Sequence, residues 1–251
     1  MARVSGWIAG VDGCREGWIM ARQALNSPQC IDIAIHRSFA TILDVADPPM
    51  IVAVDMPIGL PEKIGEGGRG PEKIVRSFLG RRKSSVFSVP SRSAVYSECY
   101  LVACLRASVT SDPPRKISRQ AFMLFPKIRE IDHLLRDHSG NVDPPWRKRV
   151  FEVHPEFAFC RLNYENPLSY AKKARKGSEW PGRSERIAIL RSAGIPEDAL
   201  GRRPPPGAAM DDMLDALVAL CVARRIREGS ARCFPERFAY DAFGLPIAIW
   251  A

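Results

Sequence analysis

Four short stretches place acids on or beside apolar elements: Trp7 to Gly13 with Asp12, Ile51 to Pro57 with Asp55, Val150 to Glu156 with Glu152, and Met210 to Leu217 with Asp212 and Asp215. A strand that ends in a carboxylate aims it at the mouth of a sheet, where α/β proteins place their sites. Several such acids, far apart in sequence, suggest one shared pocket. Oxygen-rich pockets of that kind hold Mg²⁺ or Mn²⁺. Two such ions can clamp the attacking and leaving oxygens of a phosphodiester, so the chemistry these residues suggest is metal-assisted phosphodiester hydrolysis.

Each candidate also has a plainer role. Asp12-Gly13 is a standard hairpin-turn pair, and turn preference alone favours that role. Asp55 follows four apolar residues and precedes Met56-Pro57; a buried strand running into a rigid turn holds a carboxylate still. Asp212 and Asp215, three apart, share one helix face, while Asp211 suits the helix dipole. Glu152 could face the pocket or the exposed side of an edge strand. His154 could act as a general base or be structural. Lys172, Lys173, Lys176 and Arg183 could bind phosphate or simply form a solvated loop. The glycine-rich run from Gly65 to Gly70 lacks the Gly-Lys-Ser/Thr of a phosphate-binding loop, and no Gly-x-Ser-x-Gly elbow is present.

The elements that must position these residues follow from apolar patterning. Strands are expected at 6–12, 18–21 and 31–35, with a glycine-bounded turn from Asp12 to Gly17. A short helix over 39–45 precedes a buried strand at 50–54. The stretch 60–148 is expected to be a mainly helical insertion, with helices at 72–79, 91–108 and 117–136. Val86 to Pro90 would be extended, the last of these helices interrupted or kinked near Pro126, and Pro113-Pro114 and Pro144-Pro145 would be loops. A strand resumes at 149–153, and helices follow at 184–192 and 208–227. Pro246 to Trp250 is the last expected strand.

The chain has 251 residues, 46% hydrophobic and 26% charged, enough for one large α/β domain; it is treated as a single domain over 1–251. No apolar run reaches the roughly 18–20 residues of a membrane helix, and Met1 to Trp7 has no signal-segment pattern, so no membrane partner and a cytoplasmic location are expected. A net charge of +9 favours anionic partners such as DNA or RNA. Seven cysteines without C-x-x-C spacing and four scattered histidines argue against a disulfide framework or a zinc site.

Five motifs occur in order: Gly10-Val11-Asp12-Gly13 with Gly17-Trp18; Asp55-Met56-Pro57-Ile58-Gly59-Leu60; Val86-Phe87-Ser88-Val89-Pro90-Ser91-Arg92; Glu152-Val153-His154-Pro155-Glu156; and Asp212-Met213-Leu214-Asp215-Ala216. Together they resemble the domain of unknown function 429 family, usually labelled predicted RNase H-like nucleases. Lys172-Lys173 followed by Gly177 and Arg183 is similar to that family as well. The resemblance implies an RNase H-like α/β fold: a mixed five-stranded sheet of order 3-2-1-4-5 with helices on both faces. It implies a first acid on the first strand (Asp12), a second at the end of the fourth (Asp55) and the last on the C-terminal helix, where resolvases of that superfamily carry two acids three apart (Asp212, Asp215). Glu152 has the least fixed counterpart.

The expectation is therefore a Mg²⁺- or Mn²⁺-dependent nuclease. Asp12, Asp55 and Asp212 would hold the metal, and Asp215 or Glu152 would complete the shell. Lys172, Lys173, Lys176, Arg183 and Arg92 would contact nucleic acid, and resolvase-like chemistry would suggest a homodimer. A non-catalytic nucleic-acid or metal-binding module and a small-molecule phosphoryl-transfer enzyme are the rivals. The latter would need a nucleotide-binding lobe, for which 251 residues leave little room.

Overall fold

A computed structural model describes residues 6–136 and 146–251; His138 and Pro144-Pro145 lie outside the described residues. The chain opens with β1 (Trp7–Cys14), β2 (Gly17–Ala24) and β3 (Ile31–His36), paired antiparallel in succession. The β1–β2 turn is only Arg15 and Glu16, so Asp12 lies inside β1 opposite Ile19 rather than in the turn. After α1 (Ala40–Leu43) comes β4 (Ile51–Val54), parallel to β1. The long connection that follows carries α2 (Gly70–Phe78), a 3₁₀ turn (Gly80–Ser85), α3 (Arg92–Val95), α4 (Tyr100–Val109) and α5 (Arg119–Leu135). Next are β5 (Val150–Glu152), parallel to β4, then α6 (Pro155–Leu162), α7 (Pro181–Ser192), α8 (Glu197–Leu200) and α9 (Met210–Arg227). An antiparallel pair, β6 (Cys233–Tyr240) and β7 (Pro246–Trp250), ends the chain. The five-stranded sheet is mixed, in the order β3-β2-β1-β4-β5.

Alternation along β1 builds two cores, one on each face of the sheet, because successive side chains point to opposite sides. Trp7, Ala9 and Val11 join Val52, Val54, Phe39, Phe125 and Ile128 on the face of α1 and α3–α5. Ile8 and Cys14 join Ile19, Ala53, Phe159, Leu190 and the apolar residues of α9 on the other. Every residue of α9 from Met213 to Ala223 is buried, as in a helix enclosed on all sides. Full burial of Leu214, Leu217 and Leu220 contributes roughly 1.5–3 kcal/mol each. Among the described residues, no helix is long and apolar enough to cross a membrane.

Two local expectations change. Val86 is extended as expected, though 86–90 pairs with no strand, and the helix expected over 91–108 is two helices separated by Tyr96–Cys99. Ser91, whose hydroxyl accepts from the Ala94 amide, starts the first of them. α5 runs through Pro126 as one span: the missing amide removes one bond, while Phe125, Ile128 and Ile131 stay locked in the core. β6 has no counterpart in the apolar pattern, because most of its residues are exposed or half-buried and it contains Pro235.

The sheet and α9 come very close at Gly10. A Cβ there would lie 2.0 Å from the Leu220 amide nitrogen and 2.1 Å from the Ala216 carbonyl oxygen. The backbones of β1 and α9 therefore touch with no side chain between them, and only glycine fits. Gly10→Ala should lower stability to chemical denaturation by about 3 kcal/mol or more. Gly65→Ala, where a Cβ meets no atom within 4 Å, should stay within about 0.5 kcal/mol of wild type.

Candidate metal centre

The parallel register of β1 and β4 sets the first two acids side by side. Val11 pairs with Val54, and the Asp55 amide donates to the Val11 carbonyl at 2.9 Å. Asp12 and Asp55 each come one residue later, on the α9 face of the sheet. The Gly10 contact lays α9 across that face and delivers Asp215 from above. One carboxylate oxygen from each of Asp12, Asp55 and Asp215 lies within 4.8 Å of the others.

Glu152 is out of phase with this set. It pairs with Val54 across the β4–β5 ladder, so its side chain shares Val54's face, opposite Asp55. There it accepts from the Ile58 amide at 2.7 Å and from Arg69 Nη2 at 2.5 Å. Arg69 also binds Glu72 at 2.6 Å. Asp212 sits one helical turn before Asp215, and its carboxylate accepts from the Ala209 amide at 2.8 Å, capping α9; its charge still raises Asp12. Asp55 thus joins Asp12 and Asp215 rather than Asp212 and Glu152.

Lys172, on the irregular stretch between α6 and α7, donates from Nζ to Asp215 Oδ2. Gly182 allows that stretch to close over the site, since a Cβ there would meet the Ala171 carbonyl at 2.0 Å. Lys173 and Lys176 are exposed. Arg183 and Arg175 flank Trp180 at 5.3 and 5.6 Å from its ring. Arg92 is enclosed: it donates to Asp132 at 2.6 Å and Asp241 at 2.5 Å, tying α3 to α5 and to the β6–β7 connection.

A cavity of about 230 Å³ opens onto Asp12, Asp55 and Lys172 and is also lined by His154, Lys127 and Glu156. Glu156 is fully engaged there by Arg82 and Arg186, each at 2.7 Å. Lys127, which the sequence did not mark, reaches the cavity from α5; it donates to the Gly17 carbonyl and lies 4.5 Å from the Trp18 ring centre. His154 caps α6, its Nδ1 accepting from the Phe157 amide at 3.4 Å. Burial, with Lys172 next, lowers it to about 4, so its ring is neutral at physiological pH. A larger cavity of about 600 Å³, beside β5 and β7, contains Glu152 but none of the three clustered acids.

Burial is the main cause of the electrostatics. It raises Asp55 to about 7, with Lys172 opposing and Asp215 and Glu152 adding to the rise. Asp12 rises well above the usual carboxylate range through burial and then through Asp55 and Asp215. Asp215 rises for the same first reason, opposed by Lys172. Burial pulls Lys172 down, but Asp215, Asp55 and Asp12 together hold it above its ordinary value.

The donor set suits a hard divalent cation. It is all oxygen, with no sulfur or imidazole in the cluster. Asp215 Oδ1 is buried without a hydrogen-bond partner, and the residue is 2% exposed. Around octahedral Mg²⁺ adjacent oxygens stand about 2.9 Å apart and opposite ones about 4.1 Å, so the three side chains would draw inward to close on an ion.

The chain belongs to the family described as "Protein of unknown function (DUF429)", whose model matches residues 10–239. No curated protein and no solved structure matches it.

A raised carboxyl binds its proton more tightly folded than unfolded. The stability it contributes is therefore present below its unfolded value of 3.8 and is lost as pH rises through about 7. In chelator, Asp55→Asn should be more stable than wild type by roughly 4 kcal/mol at about pH 8, the gap closing towards about pH 4. Urea unfolding at both pH values measures it; a gap that stays constant with pH would contradict the shift.

Proposed function

We propose that this protein is a metal-dependent nuclease of RNase H-like architecture. The observation that carries the proposal is the convergence of Asp12, Asp55 and Asp215 within 4.8 Å, with the Asp215 Oδ1 atom buried and unpartnered. The placement of the acids supports it: one on the central strand β1, one just after the adjacent parallel strand β4, and one on the long buried helix α9.

Asp12, Asp55 and Asp215 would hold Mg²⁺ or Mn²⁺. The bound ion would polarise a phosphodiester and lower the pKa of an attacking water. Lys172, already among the carboxylates, presents a positive charge where a phosphate would approach. Lys173, Lys176 and the Arg175–Trp180–Arg183 stack continue the basic surface of the same stretch, suited to backbone contacts and to stacking on bases. The DNA or RNA partner rests on this surface and on the net charge of +9.

Calorimetry with Mg²⁺ and Mn²⁺ on wild type and Asp55→Asn, followed by cleavage assays on single-stranded, duplex and branched DNA and RNA, tests the proposal. Asp12→Asn, Asp55→Asn and Asp215→Asn should each cut at less than about one hundredth of the wild-type rate while unfolding cooperatively. Asp212→Asn should retain most activity. Metal binding without turnover on any substrate would leave a binding module, and stabilisation by ATP would point to phosphoryl transfer to a small molecule.

A further inference from the structure

Among the described residues, Lys172 is the cation paired with the clustered acids, and its attachment is specific. Lys172 Nζ engages Asp215 Oδ2, while Asp215 Oδ1 is buried with no partner. The carboxylate is divided: one oxygen satisfied by the ammonium, the other left for a different ligand. Three carboxylates and one ammonium carry two net negative charges once the acids are ionised, as metal binding requires. A single divalent ion cancels them. A second would leave these four groups with two excess positive charges before any substrate arrives, offset only by the neighbouring Asp212, and poorly compensated charge in a largely buried site is unfavourable.

Lys172 is also well placed to stay. The Lys172 side chain is 32% exposed, against 3% for that of Asp215, and lines the same cavity as Asp12 and Asp55, while the backbone at Ala171 and Lys172 packs closely on Gly182.

We propose that Lys172 takes the place of a second metal ion: it is a positioning residue that holds Asp215 Oδ2, presents Oδ1 to the bound ion, and restricts the site to one divalent cation. This rests on the metal-centre reading above and adds its stoichiometry. A compact ammonium with three rotatable donors supplies the positive charge of an ion without its coordination demands.

The test uses the intact chain and Mn²⁺ alone. Wild type should bind one ion per chain by calorimetry and show a mononuclear Mn²⁺ spin-resonance spectrum. Mass spectrometry after brief treatment with an acylating reagent should find Lys172 equally protected with and without Mn²⁺. Lys172→Met should admit a second ion, with the spin-coupled spectrum of a manganese pair, and Lys172→Arg should keep one.

Two ions in wild type, a several-fold gain in Lys172 acylation on adding Mn²⁺, or Lys172→Met still binding one ion would each overturn the assignment while leaving the carboxylate metal centre intact. No binding by wild type would overturn both. If Lys172→Met fails to fold, the two wild-type measurements decide.

Discussion

The contact between the backbones of β1 and α9 at Gly10 governs the rest of the structure. Side chains normally fill the gap between a helix and the sheet it covers; here one missing Cβ lets Leu220 N and Ala216 O come down onto the strand. That single approach fixes the height and rotation of α9. It buries Met213 to Ala223 on every side and carries Asp215 to Asp12 and Asp55. Packing and site geometry are thus one constraint rather than two.

The protein treats its other buried acids differently. Glu156 is clamped by Arg82 and Arg186, Glu152 and Glu72 share Arg69, and Asp132 and Asp241 share Arg92. Planar guanidinium groups match these carboxylates and satisfy several lone pairs at once. Part of the arginine content therefore serves internal pairing rather than a partner. The cluster of Asp12, Asp55 and Asp215 shares a single lysine instead, so three acids lean on one compensating charge, while burial lifts Glu152 to about 7 even beside Arg69.

The sheet and most of the helices were legible because β-strand alternation and continuous apolar runs are local signals. The mixed order β3-β2-β1-β4-β5 was expected from family resemblance and is what the structure shows. The acids were found, but their grouping was not, because grouping depends on register. Glu152 and Asp55 both sit at strand ends; only the pairing of Val54 with Glu152 reveals that they point to opposite faces. Asp212 and Asp215 share a helix face, yet the tight start of α9 turns one into a cap and the other into a cluster member. Arg92 looked like a cation for substrate because its partners, Asp132 and Asp241, are 40 and 149 residues away. β6 was invisible for a different reason: it is held by a neighbour strand rather than by burial of its own side chains.

The four residues at the site's centre come from β1, the end of β4, the stretch before α7 and the inside of α9, so they span positions 12 to 215. The last of them arrives only with the helix that fills the core beneath it. A chain still emerging from the ribosome, or cut before α9, has neither a finished interior nor a third acid. The cluster of three acids is consequently complete only when α9 has packed, although β1 and β4 alone set Asp12 beside Asp55.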